Sequence, residues 1–134
     1  MILFDTSVVS AVLRRRRKGA AEDDLTARVE ALLRSDETLG IPGIVLQELL
    51  SGVADRAQRD RLLKAVQDGF PIVLATEGDH LKAADLMNAC AAEGVAFSTP
   101  DALIAAQAIN RRARLLTTDA DFRRLPAGLG LRLA

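Results

Sequence analysis

The feature that most constrains this sequence is a regular alternation. Short apolar runs of strand length are each followed by longer segments whose apolar residues recur at helical spacing. Ile2 to Phe4, Thr38 to Ile41, Pro71 to Leu74, Arg114 to Thr118 and Gly130 to Leu133 are the strand-like runs. Between them, Val8, Val9, Val12 and Leu13 follow an Asp5-Thr6-Ser7 turn. Leu25, Val29, Leu32 and Leu33 recur at i, i+4, i+7 and i+8 behind Glu22, Asp23 and Asp24, where negative charge suits a helix amino terminus. Val45, Leu46, Leu49, Leu50 and Val53 form another stripe, and Leu62, Leu63 and Val66 mark a helix from about Ala54 to Gln67. Thr76 with Asp79 predicts a capping box, opening a helix that carries Leu81, Ala84, Met87, Asn88 and Ala91 until Gly94 stops it. Thr99-Pro100-Asp101 reads as N-cap, N1 and N2 of a last helix, in which Ile104, Ala105 and Ala108 place Asp101 on the buried side. Strands alternating with helices over the whole length predict one α/β domain with a mainly parallel sheet. A length of 134 residues agrees with a single domain.

The residue inventory then limits the chemistry. Cys90 is the only cysteine and His80 the only histidine, so a multi-cysteine zinc site, a two-histidine metal site and an intrachain disulfide are all excluded. Both fit ordinary packing or surface roles. There is no Trp or Tyr to build a base-stacking platform. No apolar run approaches the roughly 20 residues of a membrane span, and Asp5 interrupts the apolar start, so the expected location is cytoplasmic.

Carboxylates remain. In a parallel α/β sheet the ligand site lies beyond the carboxyl ends of the strands. Asp5 and Asp119 each follow a strand, Glu48 lies within an apolar helix, and Asp101 sits in a first helical turn whose dipole should help it stay ionised. Carboxylates that converge repel one another and raise their own pKa values, a cost a hard divalent cation removes. Mg²⁺ or Mn²⁺ takes oxygen ligands and in such a site can activate water and neutralise phosphoryl charge.

Taken together, these segments resemble a PIN-domain ribonuclease toxin of the VapC family, from type II toxin-antitoxin systems. The resemblance rests on the opening strand with DTS, Glu48 in IPGIVLQELLSG, Asp101 in DALIAAQA, and LLTTDADF at Leu115 to Phe122. It implies one PIN domain over residues 1–134, a three-layer α/β/α sandwich with a central, mainly parallel sheet of about five strands. It also implies Mg²⁺-dependent endonuclease activity on RNA, with Mn²⁺ able to substitute, and a small VapB-like antitoxin as inhibitor of a homodimeric toxin. Asp5, Glu48, Asp101 and Asp119 match the family's acidic quartet, in which Asp5, Asp101 and Asp119 hold the metal and Glu48 completes the site. Ser7 and Thr117 match positions whose hydroxyls support the carboxylates, and Asp121 matches a second, auxiliary acid. The run Arg14, Arg15, Arg16, Arg17 suits either a solvated helix end or a contact with RNA or antitoxin.

Other classes fit less well. A haloacid-dehalogenase-like phosphatase needs a second Asp where Ser7 stands. A receiver domain needs a lysine after its last strand, and Lys82 is the final lysine here. Glycine-rich nucleotide-binding motifs are absent. A catalytically silent module that only binds a partner is the alternative. The net charge of zero is itself informative: with the four site acids set aside, the remaining side chains carry +4, and fifteen of the eighteen basic residues are arginines.

Overall fold

The computed structural model describes the backbone of residues 1–18 and 24–134 and the side chains of residues 1–14 and 24–134. The elements run β1 (Ile2–Phe4), α1 (Thr6–Lys18), α2 (Asp24–Leu33), β2 (Leu39–Pro42), α3 (Gly43–Leu50), α4 (Arg56–Gly69), β3 (Ile72–Val73), α5 (Glu77–Ala92), α6 (Thr99–Asn110), β4 (Arg114–Leu116) and β5 (Arg132–Leu133). A 3₁₀ turn, Ala120–Arg124, lies between the last two strands. The five strands form one parallel sheet in the order β3-β2-β1-β4-β5, with helices on both faces, a three-layer α/β/α sandwich as expected. No helix among the described residues is long and apolar enough to cross a membrane.

β1 is central because every one of its residues is apolar and buried, as a strand covered on both faces requires. Phe4 packs edge-on against Phe70 at the end of α4, centroids 5.0 Å apart. On β2 the sheet leaves no room for a side chain at Gly40, whose added Cβ would lie 2.7 Å from Val73 Cγ2 and 3.2 Å from Leu3 Cδ2.

The chain travels from β1 to β2 and β3 on one side, then crosses by α5 and α6 to β4 on the other. That reversal opens a crevice beyond the carboxyl ends of β1 and β4, the usual ligand position in such sheets. α6 is held there by a buried ionic knot at its far end. Asp79, only 1% exposed, accepts from Arg111 Nη1 (3.1 Å) and Nη2 (2.9 Å), from Asn110 Nδ2 (2.9 Å) and from the Thr76 amide (2.9 Å). Burial alone would raise the Asp79 pKa, but these donors hold it at about 2.

Two local expectations are corrected. The cap of α6 is Ser98, not Thr99: its Oγ accepts the Asp101 amide at 3.2 Å, so Pro100 occupies the second helical position and Asp101 the third. On α5 the inward face carries Asp79, Ala83, Leu86 and Cys90, while Leu81, Ala84, Asn88 and Ala91 are exposed. Anchoring Asp79 to Arg111 turns the helix by one residue from what its apolar pattern alone suggests.

Candidate active site

Asp5 leaves β1 with its amide bonded to the Leu116 carbonyl (3.1 Å), and its own carbonyl accepts the Val8 and Val9 amides that start α1. Its carboxylate is 4% exposed and fully engaged. Oδ1 accepts the Thr6 amide (2.7 Å), and Oδ2 accepts the hydroxyls of Ser7 (2.8 Å) and Thr117 (2.7 Å). The same hydroxyls accept in turn, Ser7 from the Thr118 amide at 3.1 Å and Thr117 from the Asp119 amide at 3.0 Å. A continuous polar chain therefore ties the end of β1 to the end of β4. Such charge-assisted bonds fix the oxygens of the Asp5 carboxylate in place.

Glu48 projects from the exposed side of α3, and its Oε1 accepts the Thr6 hydroxyl at 2.9 Å. Thr6 was not among the expected site residues. A hydroxyl next to Asp5 in the first turn of α1 is the sequence signal that could have found it. Asp101 is half-buried in the first turn of α6. Its pKa is raised, first by burial and then by the charges of Asp119, Asp5 and Glu48, while the Ser98 hydrogen bond opposes the shift. The helix terminus therefore does not keep this acid at its ordinary value. Asp119, Asp5 and Glu48 thus all lie near enough to Asp101 for their charges to act on it.

Asp119 caps the 3₁₀ turn, its Oδ1 accepting the Asp121 amide at 2.9 Å. The turn brings Asp121 inward. Asp101, Asp119 and Asp121 each offer a carboxylate oxygen, and these atoms all lie within 4.8 Å of one another. Such an all-oxygen set, with no nitrogen or sulfur donor, fits a hard divalent cation and not a zinc-type ion. The mutual repulsion that raises Asp101 is the cost a cation would remove.

A family model for the PIN domain matches residues 2–128. The chain belongs to the PIN-domain family. This PIN domain is also similar in structure to chains of VapBC complexes, in agreement with the VapC-type resemblance of its sequence. Against VapBC2 of Rickettsia felis, solved bound to a DNA fragment from its promoter, the TM-score is 0.81 at 26% identity, covering 100% of this chain and 98% of that one. Against VapBC-5 of Mycobacterium tuberculosis the TM-score is 0.70 at 26% identity, covering 98% and 94%. Against VapBC-1 of nontypeable Haemophilus influenzae it is 0.80 at 20% identity, covering 100% and 97%, a likeness of fold. No curated protein sequence matches the chain.

The PIN domain thus gathers Asp5, Ser7, Glu48, Asp101, Thr117, Asp119 and Asp121 at one crevice and adds Thr6. The remaining expected contacts lie apart. Arg14 is exposed at the rim of an open groove of about 610 Å³, shared with Leu13, Leu49, Leu62 and Arg61. The side chains of Arg15, Arg16 and Arg17 lie outside the described residues.

Proposed function

We propose that this PIN domain is the nuclease toxin of a toxin-antitoxin pair and a Mg²⁺- or Mn²⁺-dependent endoribonuclease. The carboxylate oxygens of Asp101, Asp119 and Asp121 within 4.8 Å of one another, tied to Asp5 through the hydrogen bonds of Ser7 and Thr117, carry this reading. Asp101 and Asp119 would hold the metal with Asp121. Asp5 has both oxygens engaged by Thr6, Ser7 and Thr117, so it contributes a fixed charge and a lone pair aimed by those donors. Glu48, held by the Thr6 hydroxyl, would add a further carboxylate beside Asp5. When bound, the cation supplies Lewis-acid chemistry, easing deprotonation of water and neutralising charge on the phosphoryl group.

The acids also govern selectivity for the reacting phosphodiester. Without a cation, their crowded negative charge repels a phosphate, so binding and cleavage both require the site to be filled first. Attack by water in line with the departing 3′ oxygen breaks the P–O3′ bond and leaves a 5′-phosphate and a 3′-hydroxyl.

The similarity to VapBC complexes supports a VapB-like antitoxin as the partner. The groove of Leu13, Leu49 and Leu62, rimmed by Arg14 and Arg61, suits an apolar segment carrying acidic residues, as such an inhibitor would offer. A single PIN domain spanning residues 1–134, a homodimer in solution and a cytoplasmic location belong to the same proposal.

Comparing wild type with Asp5→Asn and Asp101→Asn tests the reading. Wild type should cleave RNA with Mg²⁺, lose activity with chelator and arrest growth on expression, and the two variants should neither cleave RNA nor arrest growth. Equal cleavage by all three would sink the mechanism. Wild-type protein that is inactive with any metal, yet binds its antitoxin, would instead establish the silent partner-binding module.

A further inference from the structure

We propose that Arg124 is the counter-charge of the acidic cluster while no cation is bound, and that cation binding transfers its guanidinium from Asp121 to a phosphate of the substrate. The transfer rests on the nuclease reading above. Asp121 Oδ1 lies 2.7 Å from Arg124 Nη2, although Asp121 is also one of the three acids whose oxygens cluster within 4.8 Å. One carboxylate therefore serves both a cation site and an arginine.

The local backbone explains the pairing and limits what can move. Asp121 and Arg124 stand three residues apart on a 3₁₀ turn, where side chains at that spacing eclipse. The turn itself is anchored. Asp119 Oδ1 holds the Asp121 amide, and Phe122 is buried edge-on against Phe97 with centroids 5.7 Å apart. The Arg124 side chain, by contrast, is 63% exposed and has room to move. Its neighbour Arg123 lines a different cavity, with Leu125, Leu129 and Leu131, and has no place in this exchange.

A guanidinium pairs with carboxylate and phosphate oxygens through the same fork of donors. A divalent cation drawing on Asp121 weakens the carboxylate's hold on Arg124 and leaves a monocation at the mouth of the site. The phosphodiester that enters next is its natural acceptor.

The test uses wild type, Arg124→Gln, Arg124→Lys and the control Arg123→Gln. Mn²⁺ binding to metal-free protein is followed by electron paramagnetic resonance, and RNA cleavage is measured over a range of salt. Arg124→Gln should bind Mn²⁺ roughly two- to fivefold more tightly, the range open to an exposed ion pair. It should also raise KM severalfold at unchanged kcat and lower the log–log salt slope by about one. Arg124→Lys should recover part of both effects, and Arg123→Gln should show neither. Unchanged Mn²⁺ affinity in Arg124→Gln overturns the counter-charge role. Tighter Mn²⁺ binding with unchanged KM and salt slope overturns the transfer. If wild type cleaves no RNA, the nuclease reading fails and the transfer with it, while the Mn²⁺ measurement still decides the pairing.

Discussion

Replacing Asp79 with Asn should expose how the far end of α6 is held. In the folded protein the Asp79 carboxyl has a pKa of about 2 against an ordinary 3.8, because Arg111, Thr76 and Asn110 bind its charged form strongly enough to outweigh burial. A fall of nearly two units at about 1.4 kcal/mol per unit corresponds to about 2 kcal/mol of stability. The sign follows from the direction. The folded state binds the proton less readily than the unfolded chain, so this stability is complete above about pH 5 and is lost as the pH falls through 4 toward 2. Asp79→Asn removes the charge permanently, leaves the Arg111 fork without its carboxylate, and should cost at least about 2 kcal/mol at pH 7. Urea unfolding of both proteins at pH 7 and at pH 2.5 isolates the contribution, because every other carboxylate titrates in both. The gap between wild type and variant should be largest at pH 7 and should shrink by more than half at pH 2.5. A gap that does not change with pH would refute the reasoning.

Other predictions concern the site and the sheet. Asp101→Asn should raise the thermal midpoint of metal-free protein at pH 7 by differential scanning calorimetry while abolishing cleavage; an Asp whose pKa is raised by burial and by Asp119, Asp5 and Glu48 destabilises the fold when ionised. Lowering the pH through that titration should erase the gain, and an unchanged or lowered midpoint at pH 7 counts against it. Thr117→Val removes the hydroxyl bonded to Asp5 at 2.7 Å and the acceptor for the Asp119 amide. It should cost about 1 to 3 kcal/mol in urea and reduce kcat more than it raises KM. Gly40→Ala places a methyl 2.7 Å from Val73 Cγ2 and should destabilise by about 1 to 3 kcal/mol, with metal affinity retained once the protein is folded.

The elements that sequence patterns define well are those whose signals are local. Ile2 to Phe4, the Thr76–Asp79 capping box and the Ile104, Ala105 and Ala108 stripe all appear where their periodicity and cap chemistry put them. The acids at strand ends were legible for a related reason: parallel α/β topology sends every such end to the same edge. What escaped depends on partners distant in sequence. The inward face of α5 is set by Asp79 reaching Arg111, and a hydrophobic pattern cannot register a buried carboxylate whose counter-ion lies on another helix. The sequence points to Thr99 as the cap of α6, but it is the hydroxyl of the preceding Ser98 that meets the Asp101 amide once the chain turns into the helix. Asp121 reads as auxiliary until the 3₁₀ turn folds it back beside Asp101 and Asp119.

The place of β1 at the centre of the sheet has a temporal consequence. Its first residue pairs with Arg114, and Asp5 receives the hydroxyl of Thr117 from 112 positions later in the chain. A ribosome releases these partners long after it releases β1. Until β4 has emerged, Asp5 stands without the strand and the hydroxyl that fix it, and Asp119 does not yet exist. A nascent chain of this PIN domain therefore cannot assemble the crevice until β4 and the segment after it have followed β1 out of the ribosome.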